Sequence, residues 1–536
     1  MVKADLILHN GRFYTMDAVQ PWVEAVACAN GRILAVGRSD EVLSLAGPQT
    51  EVVDVNGRFG MPGFTDAHVH FLQYAMRRQQ VSLFGVADFA EVRRRIETAV
   101  SQAEPAQWVI GWGWDDNLWD FSPTAAMIDD ISPHTPVVLA RMDMHTWWAN
   151  SAAMQAANIT AATPDPIEAK IDRDANGQPV GLFREWNAIK LLEKVLPQPD
   201  PQTLAEWMAD TIDEAHRFGI TAIHDQRVEN EGALSFQVMQ MLHRQGRLAL
   251  RVHKHIAADH LQEALTLGLA PGFGDDFLWL GHMKAFADGA MGSRTALMLS
   301  PYEGEPDNVG VLVTPPDELW ETAVAAAQAG FPMSVHAIGD RAVRQVLDVF
   351  QEHAAGAGGQ QIAMPHRIEH VQVIHPDDVG KLAHPQIVAS VQPVHILTDW
   401  PVADRVWGDR ARLAYAFRTL LAHGARFAFG SDAPVAPFNP MLGVYAAVMR
   451  QDERGNPVGG WYPEQRLTMA EALVAYTLGP AQLAGKAAVQ GSLTPGKWAD
   501  VVVLDRDLFA VAGAEILETA VCLTVFNGRV VWRGVD

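Results

Sequence analysis

Along this chain, apolar runs that stop on a polar residue alternate with stretches of mixed, helix-like polarity. The runs are Gly60 to His70, Gly219 to Asp225, Leu248 to Ile256, Phe277 to Gly289, Phe331 to Gly339, His366 to Val373, Gln386 to His395 and Ala425 to Pro434. Strands that are apolar on both faces belong to parallel sheets covered by helices. Eight such units in succession predict a (β/α)₈ TIM barrel over 61–480. The stretch between His70 and Gly219 is too long for one strand–helix connection and predicts a large insertion after the first strand, about 105–215. Eight of the sixteen tryptophans fall there: Trp108, Trp112, Trp114, Trp119, Trp147, Trp148, Trp186 and Trp207. An insertion above the C-terminal face of a barrel serves as a lid, which makes Trp112 and Trp114 candidate substrate-binding residues. The competing reading is an aromatic core for the insertion itself.

Both ends of the chain read differently. Short strand-like segments, Ala4–Leu8, Ala25–Ala29, Arg32–Val36 and Glu51–Asp54, are punctuated by Asn10-Gly11, Asn30-Gly31 and Asn56-Gly57. The tail has the same style, with Asp500–Asp505 and Cys522–Trp532 around Asn527-Gly528. Asn-Gly between apolar runs is a strong hairpin signal. Neither end alone is large enough to enclose a core, so residues 1–60 and 481–536 are expected to pair into one small β-sandwich.

Composition narrows the function. Apolar residues make up 49% and charged residues 19%, a globular profile. The formal charge of −22 argues against nucleic acid as a partner, because phosphate binding needs clustered Lys and Arg. Two cysteines, Cys28 and Cys522, exclude a disulfide framework or a Cys-rich zinc module and are expected as small hydrophobes. No run approaches the ~20 apolar residues of a membrane span, and the start does not read as a signal peptide. The expected setting is therefore cytoplasmic, with a small molecule as substrate.

Polar residues at the strand ends carry the candidate chemistry. His68-Val69-His70 ends the first run, and residues i and i+2 of a strand point to one face, so both imidazoles can reach one metal ion. The chain holds a second His-x-His, His253-Lys254-His255. His336, His370 and Asp432 end three later runs, where barrel enzymes place catalytic groups. Lys284 sits mid-strand among apolar neighbours. A charged lysine there is costly unless it is paired, with Asp288 or Glu369 the available partners, or neutralised by a depressed pKa. A neutral amine can react with CO₂ to give a carbamate, an anion able to bridge two divalent ions.

These residues resemble the amidohydrolase superfamily, and the surrounding wording resembles its amidohydrolase-3 (YtcJ-like) branch. The matching stretches are Met61–His70, Lys284–Thr295, Val391–His395, Gly430–Val435 and Gly491–Asp500. The resemblance implies a hydrolase of a non-peptide C–N bond with two divalent metal ions, Zn²⁺ by default and Mn²⁺ or another ion as alternatives. It implies that His68, His70 and Asp432 hold one ion, that His336 and His370 hold the other, and that carbamylated Lys284 bridges them. It further implies that an activated hydroxide would attack the scissile carbon while Asp432 moves the proton to the leaving amine. His145 is a candidate oxyanion donor, and Arg294 a candidate clamp for a substrate carboxylate unless it pairs with Asp288. Asp288, Gln392 and His395 are further candidate substrate-binding residues. Where the family carries Arg-x-Asp-Gly-His, this chain has Arg141-Met142-Asp143-Met144-His145, and Met144 cannot adopt positive φ cheaply. His224, His253 and His282 are extra barrel histidines, expected in the core or behind the metal ligands. Family likeness also leans towards a homodimer. Two alternatives stay open: a mononuclear deaminase of an amino-heterocycle, which needs no bridging lysine, and a non-catalytic scaffold.

Overall fold

The computed structural model describes residues 2–104, 107–119, 121–142, 146–167, 169–226, 231, 233–356 and 362–534, with the side chains of Asn117 and Trp186 set aside. Asp143, Met144 and His145 lie outside the described residues. All eight expected barrel strands are present, labelled β1 (Phe64–Val69), β2 (Ile220–Asp225), β3 (Arg251–Ala257), β4 (Leu278–Phe286), β5 (Met333–Ala337), β6 (His366–His370), β7 (Ile387–Val391) and β8 (Phe427–Phe429). Each pairs in parallel with its sequence neighbours in one eight-stranded sheet. The ring is completed just beyond β8, where Asp432 N–H donates to the His68 carbonyl at 2.7 Å and His70 N–H to the Ala433 carbonyl at 2.9 Å. Closure therefore sets the end of β1 against the segment that carries Asp432.

The helices cover the sheet for the usual amphipathic reason. Asp340–Ala354 buries Ala342, Val343, Val346, Leu347 and Phe350, one stripe at helical spacing. No helix among the described residues is long and apolar enough to cross a membrane.

The two chain ends form two sheets over one core. Leu6–His9, Ala25–Ala29, Arg32–Gly37 and Glu51–Asp54 make the first. In the second, Val501–Leu504 from the tail pairs antiparallel with Phe59–Pro62 from the head. Leu8, Phe13, Val26, Cys28, Val501 and Val525 share the core between them. The four Asn-Gly turns do two jobs. Asn30-Gly31 and Asn527-Gly528 close hairpins, with Asn φ of 51° at both. Asn10-Gly11 and Asn56-Gly57 instead carry the chain from one sheet to the other, which the hairpin reading did not anticipate. Arg251, at the start of β3, is fully buried and holds Asp500 through two contacts of 2.5 and 3.1 Å, a desolvated pair that pins barrel to sandwich. Cys28 is buried and Cys522 half-buried.

The contacts divide the chain into two compact units, 1–74 with 208–536, and 75–207. The second unit begins well before the expected insertion start at about 105. Its helix Phe89–Gln102, capped by Asp88, buries Val92 and Ile96 in the core that holds Val109, Leu139 and Trp148. A six-stranded sheet runs through this unit.

Candidate metal centre

Five strand ends deliver the candidate ligands to one cavity of about 440 Å³, lined among others by His68, His70, Lys284, His336, His370 and Asp432. His68 Nε2 lies 3.3 Å and His70 Nε2 3.2 Å from Asp432 Oδ1. Ligand atoms of His68, His370 and Asp432 all fall within 4.8 Å of one another. The His336 ring is 4.5 Å from that of His370, centroid to centroid. The backbone bends to achieve this: His370, Val371 and Asp432 have φ of 75°, 43° and 62°. Left-handed backbone is costly for non-glycine residues, most of all a β-branched one, and such strain gathers at functional sites.

Each of three histidines has one ring nitrogen committed to an oxygen, which leaves the other nitrogen for a ligand. His68 Nδ1 bonds Glu369 Oε2 at 2.6 Å, His370 Nδ1 bonds Gln392 Oε1 at 2.8 Å, and His336 Nε2 bonds the Gly289 carbonyl at 2.9 Å. This is the arrangement that fixes the tautomer of metal-ligating histidines. His68 Nε2 and His70 Nδ1 are buried and, among the described residues, have no hydrogen-bond partner. A buried unsatisfied nitrogen costs about 1–3 kcal/mol, so the donor set fits an ion that would use it.

Charge at the site follows burial and neighbours. Burial would raise Asp432, but the close approach of His68 and His70 to its carboxylate holds it well below the usual carboxylate range. Glu369 is likewise held low, because Arg367 and His68 outweigh its desolvation. Burial lowers His336 to about 4 and His370 well below its ordinary value, so both are neutral, the form that ligates. Lys284 is lowered to about 8 by burial, against the pull of Glu369 and Asp432. Among the described residues its amine makes neither hydrogen bond nor ion pair, and it sits 5.0 Å from the Phe286 ring centre. Neither Asp288 nor Glu369 pairs with it.

The structure relocates several candidates. Arg294 pairs with Glu305 rather than with Asp288 or a cavity-bound carboxylate, because the loop after β4 turns its half-exposed side chain to that residue. Asp288 is buried with both oxygens taken by the backbone N–H groups of Leu297, Ile338 and Gly339, which ties this loop to the end of β5. Gln392 is buried and braces His370 instead of facing the cavity. His395 does line the cavity, its Nε2 3.7 Å from Asp432 Oδ2. Trp114 belongs to the core of the second unit and donates its indole N–H to the Leu139 carbonyl, so it presents no free face to a substrate. Trp112, in the same unit, is half-buried beneath the guanidinium of Arg77. His224, His253 and His282 are buried inside the barrel and absent from the cavity wall.

One group escaped the sequence reading. Arg367 holds Glu369 and also donates to Ser390 Oγ at 2.7 Å, while Ser334 donates to Glu369 Oε1 at 2.7 Å. Two opposite charges two positions apart inside a wholly buried barrel strand were the signal, since such residues must be paired.

A parallel eight-stranded barrel with clustered histidines and an aspartate at its mouth defines a metal-dependent hydrolase. The amidohydrolase family model matches residues 51–532, and the chain belongs to that family. It is 31% identical to the putative amidohydrolase YtcJ of Bacillus subtilis, over 98% of this chain and 99% of that protein. It is 28% identical to the N-substituted formamide deformylase of Arthrobacter pascens, over 98% and 97%. A crystal structure described as an uncharacterised metal-dependent hydrolase from Pyrococcus furiosus superposes with a TM-score of 0.78 at 28% identity, covering 94% of this chain and 99% of that one. The protein is an enzyme, a hydrolase acting on carbon–nitrogen bonds.

Proposed function

We propose that this enzyme hydrolyses an amide, N-substituted formamide, carbamate or cyclic imide of a small, partly apolar molecule at a binuclear centre. The observation that carries the reading is the convergence of His68, His70, His336, His370 and Asp432 on the cavity that also receives the unpaired amine of Lys284. In this reading His68, His70 and Asp432 would hold one ion and His336 and His370 the other, carbamylated Lys284 would serve both, and zinc is the default metal. When bound, two divalent ions supply Lewis acidity, lowering the pKa of a water and polarising the scissile carbonyl.

The chain's own residues do the rest. Glu369, Gln392 and the Gly289 carbonyl lock the imidazoles, so the site needs no rearrangement to bind. Asp432, held ionised, accepts the proton of the attacking water and returns it to the leaving nitrogen. Phe286, Met291, Ile338 and Val402 give the cavity apolar walls, and with Arg294 engaged by Glu305 the described lining offers no guanidinium to a carboxylate. A neutral substrate follows, and a formyl or acyl group on nitrogen suits it. The formamide deformylase among the relatives supports the same class.

The test is an activity screen of N-formyl, N-acyl, carbamate and imide compounds with Zn²⁺ or Mn²⁺ present. Turnover of at least one neutral class, lost in Asp432→Asn, is expected. Turnover of amino-heterocycles alone, with release of ammonia, would replace this reading by a deaminase.

A further inference from the structure

Deeper in the barrel, apart from the cavity, a second group of histidines has no assigned purpose. His253 and His255 on β3 and His282 on β4 are fully buried, and their ligand atoms lie within 4.8 Å of one another. The rings are 5.0 to 5.4 Å apart, centroid to centroid. We propose that His253, His255 and His282 form a second, structural metal site that takes a late first-row transition ion of the zinc–copper class.

Hydrogen bonding supplies the argument. A neutral imidazole carries one N–H donor and one lone pair, and buried polar atoms are almost always satisfied. His282 Nε2–H donates to the Pro365 carbonyl at 3.0 Å, which leaves its Nδ1 lone pair without a partner. His255 Nδ1–H donates to Gln226 Oε1 at 3.2 Å, which leaves a lone pair on Nε2. Among the described residues neither nitrogen of His253 has a hydrogen-bond partner. Three inward lone pairs on wholly buried rings, two of them fixed by an oxygen behind the ring, match the pattern of metal-ligating histidines. The competing donor is Arg367, which reaches His255 Nε2 only at 3.5 Å, bonds His224 Nδ1 at 3.1 Å and is neutralised by Glu369.

The surroundings are shaped for these rings. Trp279 stacks on His253 at 5.5 Å and 19°. Position 281 is glycine, where a Cβ would lie 2.5 Å from His253 Nε2 and 2.8 Å from His255 Cδ2. Imidazole nitrogens suit zinc and copper, and a tetrahedral ion would draw them to ~3.4 Å apart, a shift of several tenths of an ångström per ring. The site is enclosed, so the ion would enter while the barrel folds rather than by exchange afterwards.

Anomalous diffraction from crystals of the full chain, refolded in separate batches with Zn²⁺ and with Cu⁺, gives a decision resolved by site. The expected result is a peak within ~2.0–2.1 Å of the three nitrogens at half occupancy or more, with one of the two metals. Elemental analysis of His253→Phe should then show one equivalent fewer than wild type, with the ions at the barrel mouth retained. A variant that keeps the full count overturns the proposal. If His253→Phe does not fold, the wild-type maps decide, and no interior peak with either metal overturns it. A missing interior peak with ions present at the mouth leaves the hydrolase reading untouched.

Discussion

The chain writes His-x-His twice on parallel strands of one barrel, and the two copies reach different surroundings. His68-Val69-His70 ends β1 at the mouth, where Asp432 lies 3.3 and 3.2 Å from the two Nε2 atoms and Glu369 backs His68. His253-Lys254-His255 sits inside β3, where Lys254 turns away to Asp225 and Ser235 and, among the described residues, no carboxylate bonds either imidazole. The dipeptide spacing guarantees only that two rings share a face. The level along the strand, and what neighbouring strands bring to that level, decide whether the pair meets a substrate. Asp432 supplies a carboxylate proton acceptor at the mouth, whereas the interior trio meets an amide oxygen, a backbone carbonyl and a guanidinium.

That contrast can be broken or sharpened at several points. The largest effect belongs to Asp432→Asn, which should lower kcat about 10²–10⁴-fold on the substrate found by screening, with the protein folded as judged by circular dichroism. An equal loss in His282→Asn would erase the distinction between the two clusters. Glu369→Gln comes next. It weakens the bond that fixes His68, and metal affinity at the mouth should fall about 10–100-fold in a chelator competition. The pH dependence of reactivation follows. Carbamylation needs the neutral amine, and Lys284 is lowered to about 8. At a fixed concentration of dissolved CO₂, the rate at which metal-free enzyme is reactivated by CO₂ with Zn²⁺ should therefore rise about tenfold per pH unit below that value and level off above it. An unperturbed lysine would level off only near pH 10.4. The smallest change is Gly281→Ala, whose added carbon meets both interior rings. Overpacking there should cost about 1–3 kcal/mol in denaturant unfolding while kcat at the mouth stays within a factor of two.

How much of this was readable in the sequence varies with the physics. The barrel strands were legible because doubly buried strands must be apolar, and the candidate ligands that line the cavity because they interrupt those runs at their ends. The pairing of the chain ends followed from their being too small to stand alone. Partners that depend on a loop's path were not legible: Arg294 could reach several carboxylates, and only the turn after β4 selects Glu305. Asp288 and Gln392 were placed among the right residues but given the wrong neighbours, because a buried polar group near a site can brace the machinery as well as touch the substrate. The tryptophans of the second unit carried no direction at all, since large aromatics serve cores and pockets alike.

The most direct measurement is the anomalous scattering of zinc or manganese at the mouth of the barrel, read together with the electron density on Lys284. The account predicts two ions there, with the lysine amine extended by one CO₂ and lying between them. A single ion held by His68, His70 and Asp432, with the amine of Lys284 unmodified, would contradict it.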